Sequence, residues 1–148
     1  MVDLSSKIKF KFRIKTNLDK TMLKKQPEGK ILHDIYGDFQ IFIDNALYFD
    51  EQEFLLLEFG ILLKKWVARI KTGEANCFIY NSIEHDSPIL EFRYLQESWE
   101  IFSEWRTSDG RIYISSNNLL SSSEEFLEQL EEDLSGKYDI TLSSGILL

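Results

Sequence analysis

Residues 7–15 read KIKFKFRIK, an unbroken alternation of apolar and cationic side chains. Period two over nine residues is the pattern of a half-buried strand. Ile8, Phe10, Phe12 and Ile14 fall on one face, and Lys7, Lys9, Lys11, Arg13 and Lys15 fall on the other. Such a strand demands a core beneath it and an environment above it that accepts five positive charges. Three environments qualify: a nucleic acid, an anionic membrane surface, or neighbouring strands that carry acids.

Charge placement weighs on that choice. Residues 1–33 hold nine Lys/Arg and three Asp/Glu, whereas residues 34–148 hold eight and twenty-two, so a basic beginning precedes a strongly acidic remainder in a chain of net charge −8. The acidic remainder repels phosphates, and no helix-turn-helix, RNP or zinc-finger pattern is present. The basic element is not an amphipathic helix, which disfavours a membrane surface. A charge-paired sheet is the expected answer. Asp38 and Asp44 flank the next strand, and Glu91, Glu100 and Glu104 lie on later ones. Opposite-charge pairs across strands contribute about 0.2–1 kcal/mol each, and lysines also protect an exposed sheet edge.

The length of 148 residues and an apolar content of 43%, with eleven Phe and three Trp, supply one domain with ample core. Two Pro and seven Gly argue against low complexity. Cys77 is the only cysteine, which excludes an internal disulfide and a cysteine-based zinc site; its place before an apolar strand reads as a small buried residue. The beginning MVDLSS has no apolar segment of signal-peptide type, and FLLLEFGILL at 54–63 is too short to span a bilayer, so a cytoplasmic location is expected.

Along the chain, ILHDIY at 31–36 reads as a short strand broken by Gly37, and DFQIFIDNALYF as a second strand with a turn at Asn45 and a short continuation at 47–49. Asp50 with Glu53 three residues later has the form of a capping box, predicting a helix over 51–71 that Gly73 stops. Strands follow at 76–81, 89–95, 98–106 and 111–116, with TSDG at 107–110 as a hairpin turn. Ser121–Ser123 offer N-caps for a last helix over 121–135, ended by Gly136. The expected architecture is α+β: a single antiparallel sheet of about five to six strands with two helices packed on one face, and a tail at 139–148 that frays or adds a short strand.

Catalytic motifs are scarce. His33 and His85 each precede Asp, but no further ligands accompany them, and solvated loop residues explain both. The chain has no GxSxG, P-loop, GxGxxG or HExxH. Glu100 and Glu104, four apart on a predicted strand, are better explained by a solvated sheet face than as a carboxylate pair. No enzyme, cofactor or metal is expected. A binding surface has more support: Glu124, Glu125, Glu128, Glu131 and Glu132 cover one face of the last helix, and Glu100 and Glu104 accompany Trp99 and Trp105. Against this, the glutamates would simply solvate a helix and the tryptophans would face the core. These seven glutamates are the candidate partner-binding residues.

One further pattern runs through Trp66, Ile70, Gly73, Phe78, Tyr80, Ser82, Pro88, Ile89, Leu90, Phe92, Trp99, Ile101, Ser103 and Trp105, followed by the acidic helix. Over roughly residues 50–138 it resembles small acidic Bacillus-type proteins, some of which are immunity partners of LXG-type polymorphic toxins. The shared positions are mostly core aromatics and identify no binding residue. The resemblance implies an antitoxin whose partner is a cognate protein toxin, for example a nuclease, with neither nucleic acid nor membrane as ligand. The runner-up is a structural or regulatory interaction module with a non-toxin partner. A monomer and a homodimer through an uncovered sheet edge both fit the sequence.

Overall fold

The computed structural model describes residues 6–16, 19, 21–22, 25, 32, 34–74, 76–81, 89–96, 98–107 and 110–142. The alternating segment is β1 (Ile8–Ile14), with Ile8 and Phe10 buried, Phe12 and Ile14 half-buried, and Lys9, Lys11 and Arg13 exposed. It pairs antiparallel with β2 (Gly37–Ile43), placing Ile8 opposite Ile43 and Ile14 opposite Gly37. Only glycine fits at 37, because a Cβ there would lie 1.9 Å from the Arg13 carbonyl oxygen.

β2 turns into β3 (Ala46–Phe54) through Asp44 and Asn45, whose φ values of 49° and 69° form a two-residue hairpin connection of the left-handed kind that Asp and Asn tolerate. The turn expected at Asn45 is there, but the strand after it is much longer than expected. Asp50 and Glu53 do not cap a helix: Asp50 pairs with Gln40, Glu51 with Phe39, and the strand continues until Phe54 faces Gly37. Ladder bonds to β2 and burial of Phe54 against Phe39 and Phe59 outweigh the local capping signal. α1 (Leu56–Lys71) then starts with Leu55 at its N-cap and no side-chain cap bond. Thr72 and Gly73, the latter at φ 95°, end it as expected.

The second half contains β4 (Phe78–Tyr80), β5 (Leu90–Tyr94), β6 (Ser98–Phe102) and β7 (Ile112–Ser115), an antiparallel meander in chain order. α2 (Ser116–Tyr138) follows without a loop; Ser115 caps it by accepting from the Asn118 amide, and Asp139, in the left-handed conformation, closes it. The helix therefore begins five residues before 121 and passes through Gly136. β6 is shorter than expected and ends before Glu104, which lies in a turn. Of the 31–36 segment, residues 32 and 34 are helical rather than extended, and Leu32 and Ile35 are buried.

The α+β class and the two helices hold, but the single sheet does not. β1–β3 form one sheet and β4–β7 another. Where a ladder between them would run, the β6–β7 loop closes the β3 edge instead: the Thr107 amide donates to the Tyr48 carbonyl at 2.8 Å, and its hydroxyl to the Leu47 carbonyl. The Tyr48 hydroxyl crosses to the Ile101 carbonyl at 3.1 Å. Alternation reports which face a residue occupies and is silent on which strand lies beside it, so the division left no trace in the pattern.

One apolar cluster nonetheless spans both sheets and both helices. Phe10 of β1 stacks on Phe92 of β5 at 6.3 Å, Phe54 of β3 meets Tyr80 of β4 at 5.3 Å, and Phe59 of α1 meets Phe126 of α2 at 5.7 Å. Such pairs add about 0.5–1.5 kcal/mol beyond burial. The helices cross closely at Gly60, where a Cβ would come within 2.6 Å of Leu130 Cδ2. Among the described residues no helix is long and apolar enough to cross a membrane.

Candidate functional site

The basic face of β1 is outward, but its acid partners differ from those expected. Lys15 Nζ pairs with Asp38 at 2.8 Å, Arg13 lies opposite Asp38, and Lys11 Nζ sits 4.8 Å above the Phe42 ring. Asp44 serves the backbone, accepting from the Lys7 amide at 2.8 Å. Glu91 and Glu100 belong to the other sheet, where they flank Arg93 at 2.8 and 3.8 Å. The structural answer to the basic strand is therefore partial: one end is charge-paired, and Lys9, Lys11 and Arg13 remain exposed.

β1 is also an edge strand. The Asp44 amide donates to the Lys7 carbonyl and the Lys15 amide to the Tyr36 carbonyl, so odd-numbered residues bond to β2 and even-numbered ones turn their backbone outward. α2 covers the start of that edge, with Ser122 Oγ donating to the Ile8 carbonyl and Asn118 Nδ2 to the Ser6 carbonyl. Beside this seam a cavity of about 280 Å³ is lined by Lys7, Lys9, Phe42, Asp44, Ser122 and Glu125.

The seven candidate glutamates separate into groups. Glu124 pairs with Lys71 at 2.9 Å and Glu131 with Lys64, both joining α2 to α1. Glu125, Glu128 and Glu132 are exposed. At about 100° per residue they share the centre of the face opposite Leu119, Ser123, Phe126, Leu130 and Leu134. Glu100 has only 15% of its side chain exposed and lies between Arg93 and Tyr113 on neighbouring strands. Glu104 is exposed in the turn after β6. The structure therefore brings together three of the seven as one unobstructed row.

Trp99 is fully buried, donating from Nε1 to Ser116 Oγ, as its alternation implies. Trp105, expected beside it in the core, lies past the strand end and is 38% exposed. Cys77, expected to be buried, is exposed, with the Tyr94 amide donating to its sulfur at 3.3 Å. His33, His85, Ser82 and Pro88 lie outside the described residues. Among the described residues no three His, Cys, Asp or Glu side chains are placed to hold a metal.

Sequence reasoning missed a cationic concavity on the outer face of the second sheet. About 220 Å³ in volume, it is bordered by Tyr48, Arg93, Glu100, Phe102, Arg106 and Arg111. Arg93 and Arg106 lie 4.1 and 5.1 Å from the Phe102 ring centre, and Arg106 Nη1 donates to the Ser103 carbonyl at 2.9 Å. Arg111 is held by a hydrogen bond to Tyr113, which raises its pKa further above the usual range. Burial raises the Tyr48 phenol, an effect that nearby Arg106 opposes. The only sequence signal was a pair of arginines bracketing the 107–110 turn.

No curated protein and no solved structure is detectably similar to this chain. A family profile does match, over residues 8–136, a stretch that includes the basic strand, both sheets and nearly all of α2. That family is described as a domain of unknown function, DUF7878, and because the match covers well over half of the chain, the chain belongs to it.

Proposed function

We propose that the protein is an immunity protein, an antitoxin that binds the C-terminal toxic domain of a cognate polymorphic toxin in the cytoplasm of the producing cell. It acts by occupying a surface, without catalysis, cofactor or metal, and its acidic row covers a basic active site such as that of a nuclease. The observation that carries this reading is the outward row of Glu125, Glu128 and Glu132, which takes no part in helix packing. Side chains three and four apart on a helix stand about 5–6 Å from one another at Cβ, close enough to present a line of negative charge where a phosphate backbone would lie. The resemblance of residues 50–138 to immunity partners of LXG-type toxins supports the same reading. On this view the partner is a protein rather than a nucleic acid or a membrane, and Glu124 and Glu131 contribute field rather than contact.

Co-expression with a cognate toxin domain tests the proposal. Protection of growth and a co-purifying complex are expected. The triple change Glu125→Lys, Glu128→Lys and Glu132→Lys should abolish both while leaving the fold intact by circular dichroism. No complex and no protection with the native chain would sink it. A second reading, a structural or regulatory module with a non-toxin partner, is favoured by exposed Trp105, Ile79 and Leu95. Under that reading Trp105→Ala, and not the charge reversal, would release the partner.

A further inference from the structure

We propose that the concavity on the outer face of the second sheet is a binding site for a phosphate dianion, free or carried as a monoester, with Arg106 and Arg111 as its binding residues. The inference stands apart from the antitoxin reading, which rests on α2.

The charges decide the ligand class. Arg93 is engaged by Glu91 and Glu100, so its charge is largely matched. Among the described residues no carboxylate lies within ion-pair distance of Arg106 or Arg111. Three guanidiniums, of Arg93, Arg106 and Arg111, against the single carboxylate of Glu100 make the described lining of the hollow net cationic, which suits a phosphate group, with about −1.5 to −2 at neutral pH. The planar donor fork of arginine also fits phosphate oxygens two at a time.

The Arg106 guanidinium is already held in place. Arg106 is fixed by its bond to the Ser103 carbonyl and its position against Phe102, while Ser103 Oγ donates to the Ile89 carbonyl at 2.6 Å and accepts from the Trp105 amide at 3.0 Å. Arg111 stands exposed at the rim of the hollow beside Tyr113. Holding donors in their bound positions reduces the ordering that a ligand must impose. The volume of about 220 Å³ is smaller than a drug-sized pocket, which suits a compact anion. Glu100 borders the same hollow and opposes an anion, so the site binds reversibly rather than tightly.

The test is titration of the ¹⁵N-labelled full chain with inorganic phosphate and, separately, with glycerol phosphate, at constant ionic strength set with chloride. The Arg106 and Arg111 Nε–H signals and the Gly110 amide are the readout. Saturable shifts confined to this face are expected. Arg111→Gln, which removes an exposed side chain, should weaken binding about tenfold, and Arg106→Gln with it should abolish the shifts. Glu100→Gln should tighten binding several-fold, and Lys9→Gln should leave it unchanged. Saturation by glycerol phosphate alone identifies a phosphate attached to a larger molecule, and equal affinity identifies the free ion; both uphold the site. Absence of saturation by either probe up to about 50 mM would overturn it, as would losses of equal size in Lys9→Gln and Arg111→Gln.

Discussion

The two helices of this fold are held by different means. α1 buries nine of its sixteen residues, among them the charged Glu58, has no side-chain cap at its start and follows β3 after a single residue. α2 buries six of twenty-three, carries a serine cap, ends in a left-handed residue and shows a clean division between apolar and acidic faces. The first starts without a cap and relies on packing over its first half, although Thr72 and Gly73 give it a local stop. The second carries a serine cap and a left-handed stop, and leans on its surroundings along one stripe that begins with Leu119 in its first turn. Tertiary packing supplies most helical stability in proteins, and α1 is the extreme of that rule. The difference also separates what each offers to solvent: α1 is enclosed over its first half and exposes cationic Lys65, Arg69 and Lys71 over its second, whereas α2 exposes an acidic row along its length.

Four substitutions test this contrast. Phe59→Ala removes the ring of α1 that meets Phe39, Phe54, Phe78, Tyr80 and Phe126, and should lower unfolding free energy by about 3–5 kcal/mol in urea titration. Glu128→Ala on α2 should stay within about 0.5 kcal/mol; comparable losses at the two positions would erase the distinction. Tyr80→Phe takes from the buried Glu58 the hydroxyl that donates to it at 3.0 Å, a loss of about 1–3 kcal/mol. A neutral result by thermal unfolding would mean that Glu58 does not depend on its tyrosine. Ser115→Ala should cost about 1 kcal/mol and increase amide exchange in the first turn of α2. Unchanged exchange there would show that α2 is as dependent on its surroundings as α1. Smallest are the pairs joining the helices, Lys71–Glu124 and Lys64–Glu131, all half-exposed. Double-mutant cycles should give no more than about 0.5 kcal/mol each, disappearing in high salt. A larger, salt-resistant coupling would make the acidic helix a structural element first.

The same contrast explains what the sequence could disclose. β1, β2 and the meander were legible because alternation is a property of each strand alone. The apolar stripe and glutamates of α2 were legible because they repeat at helical spacing. The start of α1 was misplaced because D-x-x-E at 50–53 satisfies a local rule that a neighbouring strand overrides, and nothing in those four residues announces the neighbour. The start of α2 was placed late for a related reason: SNNLLSSS is a weak helix former by itself, and burial of Leu119 brings it into the helix. The division into two sheets has no local signature, and the loop residue Thr107 that bonds to Leu47 and Tyr48 lies about sixty residues away in sequence. The candidate site divided likewise: five glutamates were readable as a helical face, but their sorting into packed and free members needed Lys64 and Lys71. The arginine hollow is assembled from β5, β6 and the loop that follows, so no window of sequence contained it.

Gly37 carries a consequence for how the chain reaches this state. The Arg13 carbonyl approaches β2 at the one position where no side chain stands in its way. Slipping β1 by one residue along β2 would set a carbonyl against the Cβ of Tyr36 or Asp38, and would also turn its lysines into the aromatic interior. A slipped register is therefore disfavoured twice, by steric exclusion and by desolvation. The close approach thus helps to pin the register of β1 on β2, and with it the outward face of the cationic residues.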